Sequence, residues 1–305
     1  MNKKKNISIP LALMLLCVTW VSTTGIAVKN ACGEKSTPPR AAPGETVRKT
    51  ILYSYTLQNK TPFSQKEVIF ATYAPVLKTS YQECIKVRAS DDFELSRDEL
   101  GNQIIKFRIG NLPPYATKII TINVTVNFHQ HPSLVFDHTD SQFLVSEPFV
   151  ESNKPEIVSL ARKLKGKTSF DTASKIYIWI SKNIKYAGYT RFERGALYCL
   201  KHKRGDCTEF ADLFVALARA NNIPARRMAG YICKEGPSIR TAGYHNWAEF
   251  YDQNKWHIAD STRKVFEEVK AGFYLATRII SPTDRSVCKF ERFNINNKEI
   301  KVKMN

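Results

Sequence analysis

The residues that could do chemistry cluster in the second half of the chain. In Arg204-Gly205-Asp206-Cys207-Thr208-Glu209-Phe210-Ala211 a glycine interrupts the backbone, and a cysteine follows two residues later. Phe210, Leu213, Phe214 and Leu217 then recur at helical spacing and define one apolar face. Cys207 therefore falls at or near a helix N-terminus, where unpaired N–H groups and the positive end of the helix dipole favour negative charge. A cysteine so placed is a candidate nucleophile. It needs a base, and the base needs a group that orients it.

Two alternating runs supply both. Tyr244 to Tyr251 and Lys255 to Asp260 read as strands, and Asp252-Gln253-Asn254 between them reads as a hairpin turn. With Asp252 and Gln253 as a two-residue tip, His245 and Asp260 stand directly opposite each other on one face of the sheet. A slip of one residue would separate them. In this arrangement the imidazole takes the thiol proton and the carboxylate holds the imidazole. The oxyanion would be held by the Cys207 N–H and one further donor. Tyr186, Tyr189 and Tyr198 are the upstream candidates for that donor. His257 has the opposite strand parity and is left out. Cys199 lacks a helix start, and Cys233 follows a strand, so both are weaker nucleophile candidates. The ligand types do not come in the close pairs of a zinc site.

Several pieces in order carry a resemblance. They are Gly205-Asp206-Cys207-Thr208-Glu209-Phe210-Ala211, Ala218 to Arg226, Gly230-Tyr231, His245-Asn246-Trp247-Ala248-Glu249-Phe250, and Trp256 to Thr262. Together they resemble the transglutaminase-like superfamily over about residues 155–262. The resemblance implies an α+β, papain-like domain, with a helix-borne cysteine packed on an antiparallel sheet. It makes Cys207 the nucleophile, His245 the base and Asp260 its orienter, with Trp247 and Trp256 in the core or the cleft wall. It implies no cofactor and no metal, and no acidic calcium loop is visible.

The elements around this region read as follows. Residues 46–148 carry short β-branched and aromatic runs separated by turns, which suggests a β-sandwich-like domain preceding the catalytic domain of residues 149–305. Pro155 starts one helix, and Thr168 to Asp171 offers N-caps for a second. Phe266, Phe273 to Leu275, Ile279 and Ile280 could finish the catalytic sheet. Residues from Ile295 onward are polar and basic and read as a disordered tail. His129, His131, Asp137, His138 and Asp140 lie close together but match no ligand spacing, so they read as a polar loop.

Composition bounds the rest. A chain of 305 residues with 43% hydrophobic residues can build a real core. Lys3 to Lys5, the apolar run Ile7 to Val21 and Gly25-Ile26-Ala27 form a signal-peptide pattern over residues 1–27, followed by a Pro-rich linker at 28–45. Cys32-Gly33 has a poor lipobox before it, so export to a periplasmic or extracellular space is expected without a lipid anchor. Beyond the signal remain cysteines 32, 84, 199, 207, 233 and 288. If Cys207 is a free thiol, an odd number is left for pairing. The net charge of +18 comes without an RNP-like, zinc-finger or helix-turn-helix pattern, so no nucleic acid is expected. It is compatible with an anionic envelope polymer as partner. The expectation is an exported thiol hydrolase or acyltransferase acting on amide bonds of a protein or peptide, with hydrolysis favoured. The alternative is a non-catalytic envelope scaffold whose N-terminal β domain binds a partner.

Overall fold

Strand alternation in the first half and helical periodicity after Lys154 build two layered parts. The computed structural model describes residues 46–134, 141–190, 192–233, 236, 238–280 and 292–305. The expected leader and linker, along with Asp137, His138, Asp140, Cys32 and Cys288, lie outside them. The first half contains β1 (Thr46–Asn59), β2 (Gln65–Ala74), β3 (Gln82–Ala89), β4 (Glu94–Arg97), β5 (Gln103–Leu112) and β6 (Thr117–His129). Then follow α1 (Pro155–Leu164), α2 (Ser169–Asn183), β7 (Lys185–Tyr186), α3 (Gly195–His202), β8 (Arg204–Gly205) and α4 (Cys207–Ala220). The chain continues with β9 (Ala225–Ile232), β10 (Tyr244–Asp252), β11 (Lys255–Asp260), β12 (Val265–Phe266), β13 (Tyr274–Ile280), β14 (Phe293–Ile295) and β15 (Ile300–Met304).

The first six strands form two antiparallel sheets, ordered β15-β1-β6-β3 and β14-β2-β5-β4. Their inward rows, including Ile51, Tyr53, Tyr55 and Leu57 on β1 and Phe70 and Phe107 across from them, share one core. The alternation is clean because only one face of each strand is buried. The tail differs from its expectation. β15 pairs with β1 from Tyr55↔Met304 to Asn59↔Ile300, and β14 pairs with β2. A polar, basic sequence forms strand here because Ile300 and Met304 are its buried row while Lys301 and Lys303 face solvent.

The second half is an antiparallel sheet ordered β12-β11-β10-β9-β13. One face carries Ala225, Ala248, Phe250 and Ala259 against α1, α2 and α4. The other carries Met228, Trp247, Trp256, Ile258 and Tyr274, packed with Val76, Tyr81 and Phe143. As expected, Pro155 opens α1 and β13 completes the sheet. Thr168 caps α2 by accepting the Asp171 N–H at 3.0 Å. The protein is thus α+β, with antiparallel β-sheets followed by helices packed on a sheet. All these elements fall within one compact unit, Ala42–Asn305.

Buried charge ties the two halves of the helical layer together. Arg219 Nη1 bonds Glu147 at 2.7 Å, and both side chains are buried. Arg227 reaches Glu147, Glu193 and the fully enclosed Asp212. Burial pushes the Asp212 carboxyl well up despite Arg227. On the other face, Arg226 donates through Nε and Nη2 to Glu249 and lies 4.0 Å over the Trp256 ring.

Candidate active site

Cys207 is the first residue of α4, so its N–H has no acceptor within the helix. Asp206 is the N-cap. Its Oδ1 accepts the Thr208 N–H at 2.8 Å and its Oδ2 accepts the Thr190 N–H at 3.0 Å. Glu209 closes a capping box by accepting the Asp206 N–H at 2.8 Å, and Arg194 binds the same carboxylate. Gly205 is required by this packing: a Cβ there would lie 2.6 Å from the Glu209 Cβ. The helix start is therefore held from several sides, and the cysteine with it. Asp206–Glu209 and Arg194 were not among the sequence expectations, although the pattern Asp206-x-x-Glu209 is a readable trace of the capping box.

His245 and Asp260 meet, but not in the expected register. The hairpin tip is Gln253-Asn254, not Asp252-Gln253. Both tip residues have positive φ, 48° and 60°, as a two-residue type I′ turn requires. β10 and β11 consequently pair as Asp252↔Lys255 through Ala248↔Ala259. Asp260 then lies diagonal to His245 rather than directly across. Face parity is unchanged by a shift of this size, so the two side chains still share a face. His245 Nε2 lies 2.6 Å from Asp260 Oδ2. The Cys207 side chain lies near the same imidazole and, after Asp260, helps to favour its charged form. With Nε2 engaged by the carboxylate, the nitrogen left for sulfur is Nδ1.

Asp260 is fully satisfied as an anion. Tyr274 donates its phenol to Oδ2 at 2.7 Å, and Oδ1 accepts the Thr262 hydroxyl at 2.6 Å and the N–H groups of Thr262 and Arg263. Burial alone would raise this carboxyl, but His245, Thr262 and Tyr274 hold it below the usual range. Burial works against the His245 cation too, yet Asp260 and Cys207 beside it win and raise it to about 9. The imidazole thus carries a proton at neutral pH. Trp247 stacks at 6.4 Å from the His245 ring, and Tyr274 packs on Trp247 at 4.8 Å. Tyr274 and Thr262 are site residues that sequence reasoning did not single out. Trp256 lies in the core beneath Arg226.

Among the weaker candidates, His257 packs between Phe170 and Phe250 on the helix side of the sheet and pairs with Glu267. Cys199 is wholly buried, and burial pushes its thiol well up. Burial likewise raises Cys233 to about 11. Cys84, Cys199, Cys207 and Cys233 are all free thiols. Of the tyrosines, Tyr198 accepts from Arg194 and stacks on His202. Tyr186 pairs across from Gly205, and its ring lies 6.5 Å from that of Phe210, one turn beyond Cys207. Burial, then the charges of Cys207 and Asp206, keep the Tyr186 phenol protonated. His129 Nδ1 contacts the Thr46 hydroxyl at 3.3 Å. Among the described residues no group of three or more His, Cys, Asp or Glu side chains could hold a metal ion.

The site thus brings a helix-start thiol near an imidazole that is bonded to a buried carboxylate. Residues 158–261 match the family model of the transglutaminase-like superfamily, and the chain carries a domain of that superfamily. The fold is shared with a candidate cysteine protease from Cytophaga hutchinsonii, at 21% identity and a TM-score of 0.54, over 86% of this chain and 92% of that one. The periplasmic domain of TgpA from Pseudomonas aeruginosa matches at 14% identity and a TM-score of 0.41, over 74% and 92% of the two chains. Red sea bream transglutaminase matches at 11% and 0.29, over 69% and 48%. No curated protein matches.

Proposed function

We propose that the protein is a thiol-dependent hydrolase of amide bonds, a peptidase or amidase, acting through Cys207, His245 and Asp260. The observation that carries this reading is the placement of Cys207 at the start of α4 beside the His245 imidazole, which in turn meets Asp260 at 2.6 Å. The Cys207 sulfur attacks the amide carbonyl carbon, and the carbonyl π pair moves onto oxygen. The Cys207 N–H and the Tyr186 phenol are the donors for that oxyanion. Collapse breaks the C–N bond, and the His245 imidazolium gives its proton to the departing amine. This leaves a thioester and a neutral imidazole. Water then attacks the thioester with His245 taking its proton, and the acid and the thiol are released. Asp260, held by Tyr274 and Thr262, keeps the imidazole oriented through both halves.

The expected signal at residues 1–27 supports an exported enzyme. No helix among the described residues is long and apolar enough to cross a membrane. The reading is tested by trapping the acyl-enzyme from peptide substrates and weighing it. A mass increase on Cys207 that is absent from Cys207→Ala supports the proposal. An increase that persists in that variant removes Cys207 as the nucleophile. Release of free acid identifies water as the acceptor, and an amine adduct identifies transfer.

A further inference from the structure

The residues that follow His245 and Cys207 are bonded to each other. Asn246 Nδ2 donates to Thr208 Oγ1 at 2.8 Å, so a side chain of β10 holds the first turn of α4. Asp206, Glu209 and Arg194 tie that turn to the chain just before it. Asp212 and Arg219 bond β9 further along the helix. The Asn246–Thr208 bond instead joins the strand that carries the imidazole to the helix that carries the thiol, one residue from each.

Stability does not account for this asparagine. Its Oδ1 is enclosed and has no hydrogen-bond partner among the described residues. A buried acceptor left unpaired costs about 1–3 kcal/mol, against the ~1 kcal/mol that one hydrogen bond contributes. By strand parity Asn246 shares the helix-facing row of β10 with Ala248 and Phe250, both apolar and buried. An apolar side chain would suit that row better. A polar one kept there at a cost, next to two reacting groups, marks a functional constraint.

We propose that Asn246 and Thr208 are positioning residues: their bond sets how close the Cys207 sulfur stands to the His245 imidazole, and so how readily the thiol proton passes to it. Proton transfer needs its two heavy atoms within hydrogen-bond reach, and a misplacement of about 1 Å can cost about a hundredfold in rate. The inference rests on the reading of Cys207 and His245 as nucleophile and base. The other titratable or charged groups around the pair are Asp260, Tyr274, Tyr186, Asp206 and Arg263. Neither Asn246 nor Thr208 carries a charge, so replacing them leaves those groups in place.

The test is alkylation of Cys207 by iodoacetamide at about pH 6 and about pH 10, followed by the mass of the peptide that contains Cys207. At the lower pH the reactive thiolate depends on the proton passing to His245; at the higher pH hydroxide removes it. In Asn246→Leu and in Thr208→Val the rate at the lower pH is expected to fall about tenfold, the equivalent of ~1.4 kcal/mol, while the rate at the higher pH stays as in wild type. The double variant should be no slower than either single one, because both remove the same bond. Thr208→Ser keeps the hydroxyl and should restore the wild-type rate. The double variant should also unfold in urea no earlier than the wild type, since both partners are then apolar. Unchanged rates at the lower pH in the single variants, losses that multiply in the double variant, or a lower urea midpoint would overturn the positioning role and leave the catalytic reading standing. A wild type no faster at the lower pH than His245→Gln would overturn the catalytic reading, and this inference with it.

Discussion

At the scale of single residues, the site turns on which ring nitrogen does what. Nε2 of His245 is held by a carboxylate that five protein groups satisfy, and this leaves Nδ1 for sulfur. Because the imidazole is raised to about 9, amide turnover should fall as pH climbs through that value and the acid for the leaving amine is lost. An activated ester, whose leaving group needs no proton, should not show this fall. A pair of pH–rate profiles decides the matter. The same shift has a stability consequence. A histidine raised by its partners stabilises the folded state fully below its ordinary value, and the contribution disappears as pH rises through about 9. Tyr274→Phe removes one donor from Asp260 and should lower kcat about tenfold, the equivalent of roughly 1.4 kcal/mol, with little change in KM. A lowered kcat/KM with unchanged kcat would contradict a role in holding Asp260. That Cys207 starts a helix and that His245 and Asp260 share a face was legible in the sequence from helical periodicity and strand parity. Tyr274 was not, since it reaches Asp260 from β13, across a pairing with β9 that includes a bulge after Ala276.

At the scale of elements, helix α4 and the sheet beneath it are set by close contacts and buried charge. Gly230 sits opposite His245, and a Cβ there would fall 2.0 Å from the Leu275 carbonyl oxygen. Gly230→Ala should therefore push β13 off β9 and loosen Tyr274. A destabilisation of about 1–3 kcal/mol is expected for such overpacking, measured by urea unfolding. Arg219→Met leaves Glu147 buried beside Arg227 alone and should cost about 3–5 kcal/mol in the same measurement. The helix starts at Pro155 and Thr168 and the strands of the sandwich were readable from local pattern. The hairpin tip was misplaced by one residue because Asp252 and Asn254 are both good turn formers. Only the positive φ of Gln253 and Asn254 settles which pair forms the tip. The buried pairs Arg226–Glu249 and Arg219–Glu147 were beyond local reading, since charged residues in a sequence look alike whether solvated or enclosed.

At the scale of the whole molecule, the last described strands complete the first sheets. Tyr231 of the catalytic sheet donates its phenol to Met304 Sδ, and the Asn305 N–H donates to the Ser54 carbonyl. Removing residues 293–305 should destabilise both halves together. One unfolding transition shifted to lower denaturant, followed by circular dichroism and by tryptophan fluorescence, would show that coupling. Two separated transitions would show that the halves stand independently. The pairing of β1 with β15 also has a consequence in time. β1 emerges early in synthesis, but its second neighbour is made some 240 residues later. Until that stretch has been translated, one edge of the first sheet stays open. The N-terminal sandwich therefore cannot be finished before residues 300–304 have been made. Under the proposed export, it would stay unfinished over the interval in which an export machinery, which threads unfolded polypeptide, captures it.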